Sequence, residues 1–379
     1  MAGRLRTVSG GGLEARVFRT IIEDRDLLRQ WDTLAVAASE PRSLSAVVNA
    51  WYRRAGGRRP VRTITIWSGD VLVGVVPLSL HRDRWGRVIC RMAGRGTIAG
   101  VQPLFAHDVP GVRRADIEQV AGAAIAGLRP LPDKVVLESA QGAAAMLAAG
   151  ARGARRPPRL ESSPVLAPFL DLRPEPFQRW SDGLEPRAES EKRRRRRRLV
   201  DLGYRSVALS DAREMSRRIP VLRDLYNGRK AKRGGEGIDF DSSMSETLDE
   251  VFSALAPTGR VTVFSWERDD IVLALSVVLA CGQRASGWIT AFGELESRYS
   301  PGLRINEDSI EWARASGYLE FDLGPGNEEY KAKLSSGTVV LEDASLDRRD
   351  LFPLNTPASL VTEGARARYR ALRQRRADG

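Results

Sequence analysis

The chain has 379 residues, 42% of them apolar, which is length for about two domains, each able to bury a core. Its net charge of +12 favours anionic partners: nucleic acid, phosphates, acidic lipid or CoA. No apolar run approaches the roughly 20 residues of a membrane helix, no apolar stretch follows Arg4 and Arg6 to make a secretory leader, and Cys90 and Cys281 show neither disulfide nor zinc spacing; together these point to a cytosolic protein with buried thiols.

Residues 1–14 read as a loose leader. A strand over Val17–Ile21 opens the structure, followed by a helix over Asp24–Ala38, with Trp31, Leu34 and Ala38 at helical spacing, and another over Ser43–Arg54. Strands follow at Arg62–Trp67, Val71–Leu80 and Arg87–Ala93, and Ser68-Gly69-Asp70 makes a hairpin of the first two. A helix over Val112–Leu128, a buried strand over Lys134–Leu137, a helix over Ala143–Ala149, a polar stretch at Arg152–Arg159 and a strand over Phe169–Leu172 end the first half.

The second half repeats that order. The helix Arg187–Leu202 stops at Gly203, a natural residue beyond a helix end. Then come the strand Tyr204–Leu209, helices over Ala212–Arg229 and Ser245–Leu255, and strands over Arg260–Glu267, Ile271–Ala280 and Arg284–Phe292, with Arg268-Asp269-Asp270 as the hairpin turn. Ser300-Pro301-Gly302 opens a helix that ends at Gly317. The strand Leu319–Leu323, a helix over Glu328–Leu334, a strand over Thr338–Leu341 and a basic helix over Ala358–Arg376 close the chain. A meander followed by a β-α-β step predicts an α/β (α+β) layered fold, and argues against a TIM barrel or a doubly wound sheet.

Three segments carry a resemblance: EKRRRRRRLVDLG at Glu191–Gly203, YSPGLRINEDSIEWARASG at Tyr299–Gly317 and LEFDLGPGNEEYKAKL at Leu319–Leu334. Residues 185–345 resemble the GNAT acetyltransferase family that includes the CelD/BcsL cellulose-biosynthesis-type proteins. The layout is similar to that of the Fem-type aminoacyltransferases, which have tandem GNAT folds. The resemblance implies two tandem GNAT-like domains, each with a mixed, largely antiparallel sheet flanked by helices. Residues 15–175 would be a degenerate, acceptor-shaping copy, 176–352 the acyltransferase domain and 353–379 a basic tail. It also implies acyl-CoA, in the first instance acetyl-CoA, as cosubstrate without a metal.

The candidate site follows from those segments. The loop Ser300-Pro301-Gly302-Leu303-Arg304 precedes a helix whose free N–H groups suit an anion, and the resemblance assigns Gly302, Leu303 and Arg304 to the CoA pyrophosphate. The family's usual Arg/Gln-x-x-Gly-x-Gly/Ala signature is absent, and Glu307 and Asp308 oppose an anion, so a plain Pro-Gly turn is the competing reading. Asp322 ends a strand before Gly324-Pro325-Gly326, where a carboxylate can orient or deprotonate an acceptor or cap the turn. By family analogy Tyr330, with Tyr299 as its rival, protonates the leaving thiolate, and Lys331 holds an anion; Lys331 is one of only six lysines. Lys192–Arg198 is a run of seven basic residues that encircles a helix, so it cannot all serve one site. Lys192, Arg195 and Arg196 match the family's spacing, for an anionic acceptor, for CoA or for tRNA; a solvated, Arg-rich face is the alternative.

These readings describe an acyltransferase acting on an amine or hydroxyl of a small-molecule or glycan-precursor acceptor. The alternatives are a Fem-type enzyme using aminoacyl-tRNA and a non-catalytic nucleic-acid-binding protein on a GNAT scaffold. Two histidines, His81 and His107, give little support to a Ser-His-Asp hydrolase or a histidine metal site.

Overall fold

The computed structural model describes residues 8–10, 12–54, 60–150, 160–184, 186–232, 238, 240–326 and 328–347. The Arg152–Arg159 stretch, most of the expected leader and the basic C-terminal helix lie outside the described residues.

In the first half β1 (Val8–Gly10) pairs with β2 (Leu13–Phe18), and α1 (Arg25–Ala37) and α2 (Ser45–Arg53) follow. The meander β3 (Val61–Ser68), β4 (Val71–Arg82) and β5 (Val88–Met92) comes next, with a short β6 (Leu104–Phe105) returning to β4. α3 (Arg114–Ala126), β7 (Lys134–Ala140), α4 (Ala143–Gly150) and β8 (Leu160–Asp171) complete it. The second half runs α5 (Pro174–Asp182), α6 (Pro186–Asp201), β9 (Arg205–Leu209), α7 (Ala212–Lys232), α8 (Ser242–Leu255), β10 (Val261–Arg268), β11 (Ile271–Cys281) and β12 (Arg284–Phe292). α9 (Pro301–Ala315), β13 (Glu320–Asp322), α10 (Glu329–Leu334) and β14 (Gly337–Asp347) end it.

Local chemistry sets many of these boundaries. Asp24 caps α1 by accepting from the N–H of Asp26 and Leu27, and Asp241 caps α8 through Met244 N–H. Gly203 takes φ +85° just past α6, as a residue in that place must. β11 is apolar but for Ser276 because it is buried on both faces: Leu275, Val277 and Leu279 join one core cluster, Ala274, Val278 and Ala280 the other.

All strands join one sheet in the order β1-β2-β3-β4-β5-β7-β14-β8-β13-β12-β11-β10-β9, with β6 beside β4. The pairs β5–β7 and β12–β13 are parallel and the rest antiparallel. The fold is therefore a mixed α/β arrangement with a large, mostly antiparallel sheet flanked by helices. At its centre β8 and β14 change places: β8 lies against β13 of the second half, and β14 against β7 of the first.

Several elements differ from the sequence reading. The opening strand is Leu13–Phe18 rather than Val17–Ile21, and Val8–Gly10 pairs with it, inside the expected leader. β8 and β14 extend far beyond Phe169–Leu172 and Thr338–Leu341, pairing from Gly337↔Phe169 to Leu346↔Leu160. Pro164 and Pro168 hide β8, since proline belongs at sheet edges. β13 reaches only Phe169–Asp171, so over its first part β8 has a strand on one side alone. α5 was not expected; its Pro174 start and the Phe177–Trp180 pair, with ring centroids 5.4 Å apart, mark it in hindsight.

Candidate active site

The two parallel strands β12 and β13 pair at only three positions, Arg284↔Glu320, Ala285↔Phe321 and Ser286↔Asp322. β13 stops there and β12 runs on to Phe292, so the strands fork. β12 also bulges: Val277 faces Ile289 and Val278 faces Gly287, leaving Trp288 as the extra residue. The Trp288 indole donates to Thr97 O across the halves at 3.1 Å.

Two cavities meet in the fork. The outer cleft has a volume of about 500 Å³ and lies between α7 (Tyr226, Arg229, Lys230), the end of β12 (Thr290, Phe292) and the start of α9 (Ser300 to Leu303). The inner chamber, about 180 Å³, includes Arg42, Trp288, Leu323 and Lys331 in its wall. Thr290, Asn306, Glu328 and Tyr330 line both cavities and so mark where they join. Thr290 Oγ1 donates to Asn306 Oδ1 at 2.9 Å, and the Arg229 guanidinium stacks over Phe292 at 3.8 Å.

The first half has the corresponding parallel pair, β5–β7, but its gap is filled. β5 stops at Met92, and the following segment buries Ile98, Val101, Leu104 and Phe105 while β6 takes up the pairing with Gly74 and Val75.

The structure divides the sequence-derived residues into three groups. Ser300, Gly302, Leu303 and Tyr330 come together on the outer cleft. Gly302 is required by packing, because a Cβ there would stand 2.1 Å from Phe292 Cδ1. Lys331 in the wall of the inner chamber and Asp322 behind it are bound to the chain itself. Asp322 pairs with Arg42 at 2.8 Å and accepts from Ser286 Oγ and Gly324 N, both at 2.7 Å. Burial alone would raise its carboxyl, but Arg42, Ser286, the Gly324 N–H and Arg284 outweigh that and hold it below the usual carboxylate range. Lys331 Nζ donates to Pro325 O at 2.7 Å and Gly324 O at 3.3 Å and pairs with Glu328, so it fastens the Gly-Pro-Gly turn; burial lowers its pKa against the pull of Glu328.

Arg304, Lys192, Arg195, Arg196 and Tyr299 form the third group, on the α6 side of α9 and outside the linings of both cavities. Arg304 is buried, pairs with Glu307 at 2.9 Å and donates to Lys192 O at 3.2 Å. Arg195 donates to Ser300 Oγ at 2.8 Å, and Arg196 pairs with Asp308, which also accepts from Ser206 Oγ at 2.6 Å. Glu307 and Asp308 thus turn towards α6 and away from the cleft. Burial pushes Glu307 up to about 7, against Arg304 and Lys192. Tyr299 packs under Arg298, whose guanidinium is 4.8 Å from the ring centre.

Sequence reasoning missed Arg42, Trp288, Thr290, Asn306, Arg229 and the partly buried pair Glu40–Arg284 (2.8 Å), in which desolvation lifts the Glu40 carboxyl to about 7 against the pull of Arg284. Only the strand assignment hinted at Trp288 and Thr290, and nothing in the local sequence marks Arg42.

Residues 187–332 match the family model described as an acetyltransferase (GNAT) domain. No curated protein matches the chain. Among solved structures, one described as FemX superposes with a TM-score of 0.55 at 10% identity, covering 84% of this chain and 95% of its own. A DUF2156 domain from Agrobacterium fabrum, described as the C-terminal domain of a lysylphosphatidylglycerol synthetase, gives 0.51 at 12% identity and covers 92% and 95%. A tandem GNAT protein from the clavulanic acid biosynthesis pathway gives 0.47 at 19% identity, covering 88% and 99%. At these identities the likeness concerns the fold.

Proposed function

We propose that the chain, whose residues 187–332 carry a GNAT acetyltransferase domain, moves an acyl group from an acyl-CoA in the outer cleft to an amine or hydroxyl that reaches the inner chamber. The observation that carries this reading is the fork between β12 and β13, with Tyr330 and Thr290 at the junction of the two cavities. The backbone of Gly302 and Leu303 at the start of α9 and the cations Arg229 and Lys230 across the cleft suit the donor's phosphates. The acceptor attacks the thioester carbon and the C–S bond breaks; Tyr330 gives its proton to the departing thiolate, and the proton lost by the acceptor nitrogen or oxygen passes through solvent to restore Tyr330. Asp322 and Lys331 act through position: one holds the end of β13, the other the turn beyond it.

In this reading residues 15–175 and 176–352 are the two units, with β8 and β14 exchanged between them. The filled gap beside β5 leaves the first unit to shape the acceptor side. An envelope-precursor sugar amine, of the kind expected for CelD/BcsL-type proteins, is the acceptor class to try first. A second reading, an aminoacyl donor carried on tRNA, draws on Arg193, Arg194, Arg197 and Arg198, which face outward on α6. Thiol release from acetyl-CoA and longer acyl-CoAs, assayed against a panel of amino sugars, tests the first reading. RNA binding with a steep salt dependence and no thiol release would favour the second.

A further inference from the structure

One segment of the first half lies along the start of β12. Cys281 Sγ donates to Ala35 O at 3.5 Å, Gln283 N donates to Ser39 Oγ at 3.0 Å, and Arg284 pairs with Glu40 at 2.8 Å. The approach is close: a Cβ at Gly282 would stand 2.3 Å from Val36 O. Arg42 comes last in this series, 6% exposed. One of its terminal nitrogens lies 2.8 Å from Asp322 Oδ2 and the other donates to Gly287 O at 2.7 Å.

Those two partners have a particular place. Ser286↔Asp322 is the last rung of the β12–β13 ladder, and Gly287 is the first residue of β12 beyond it. The guanidinium therefore spans the fork at its base, where the next rung would be. Its planar set of donors reaches both acceptors from separate nitrogens at a fixed spacing, where a lysine offers one point charge on a shorter side chain. The surroundings leave room for it: a Cβ at Gly100 would stand 3.2 Å from one terminal nitrogen, and a Cβ at Gly324 3.0 Å from the other. Arg42 also lines the inner chamber between Gly287-Trp288 on one wall and Gly324-Pro325 on the other.

We propose that Arg42 is a positioning residue through which the first half of the chain sets the width of the β12–β13 fork, so that the second half transfers acyl groups only while the first is docked on it. The chemistry in this statement rests on the acyl-CoA reading; the hold on the fork does not.

Arg42→Lys separates positioning from folding. It keeps a cation beside the partly buried Asp322 but loses the simultaneous bond to Gly287 O. A hydrogen bond to a charged group is involved, so about tenfold is the expected scale of each effect. By hydrogen exchange, the amides of Gly287–Thr290 and Gly324 in Arg42→Lys exchange about tenfold faster, while those of Ile64 and Val75 in the first-half core keep their rates. In steady state kcat falls about tenfold, with KM for acyl-CoA within about threefold of wild type. Unchanged exchange at Gly287–Thr290, or a uniform rise through both halves, overturns the hold on the fork. Faster local exchange with a wild-type kcat overturns the positioning role. Absence of CoA-dependent turnover in the wild type would instead sink the donor reading, and the exchange result still decides whether Arg42 holds the fork.

Discussion

Gly302 offers a sharp test of the cleft, because the ring of Phe292 occupies the space a side chain would need. In Gly302→Ala the new methyl would stand 2.1 Å from Phe292 Cδ1 and 2.4 Å from Cε1. Carbon contacts settle at about 3.5–4.0 Å, so the ring must withdraw by roughly 1.4 Å or the first turn of α9 must lift. Either movement enters the cleft, since Gly302 and Phe292 share its lining and Arg229 stacks on the same ring. Overpacking of this kind costs about 1–3 kcal/mol. At roughly 2–4 °C per kcal/mol for a large cooperative unit, Tm falls by several degrees. Acyl-CoA affinity falls by about tenfold or more, which is the effect of 1.4 kcal/mol spent on reopening the site. Scanning calorimetry reads the first effect and isothermal titration the second. Wild-type values for both would refute the packing argument; a lowered Tm with unchanged affinity would detach Gly302 from the donor site.

Tyr330→Phe keeps acyl-CoA affinity and lowers kcat by about a hundredfold, the scale of a lost general acid, in a thiol-release assay; an unchanged kcat removes Tyr330 from the chemistry. Arg196→Ala leaves the buried Asp308 with Ser206 and without its cation, and costs about 1–3 kcal/mol in urea unfolding. The exposed Arg194→Ala leaves stability unchanged, and equal losses in the two variants would show that α6 does not dock through Arg196. Glu40 has its carboxyl raised from 4.5 to about 7, so the folded chain binds the extra proton and loses stability as pH climbs through that window. The loss from this group is about 3 kcal/mol, Glu307 adds to it with the same sign, and Asp322, whose carboxyl is depressed, acts oppositely in acid. Glu40→Gln flattens the decline between pH 5 and pH 8 in urea unfolding, and an unchanged slope would show that Glu40 does not set it.

The legible parts of the fold were those with local signals. Trp31 and Leu34 at helical spacing, the Gly69 and Asp269 turns and the stop at Gly203 placed most helices and both meanders within a few residues. Beyond Phe169–Leu172 and Thr338–Leu341, β8 and β14 escaped because their pairing is with each other, across about 170 residues of chain, and because Pro164 and Pro168 interrupt the strand pattern. The cleft lining was legible where its residues follow one another in the chain, as at Ser300–Leu303, while Tyr330 reaches the same cleft from α10. Arg42 was not, because its partners Gly287 and Asp322 belong to the other half. The basic run shows the limit most clearly. Seven cations in a row say nothing about which face the protein, and only the structure turns Arg195 and Arg196 onto α9 and leaves Arg193 and Arg194 outside. Likewise Glu307 and Asp308, which the sequence sets against an anion, are the counter-ions of α6 and its neighbour Arg304.

That the fork holds an acyl-CoA is tested by thermal unfolding of the full chain with and without acetyl-CoA and longer acyl-CoAs. Ligand at about 100 times its Kd adds roughly 2.7 kcal/mol of stability. Tm is expected to rise clearly with at least one CoA species, and to rise less in Gly302→Ala. No rise with any CoA species at millimolar concentration would contradict it.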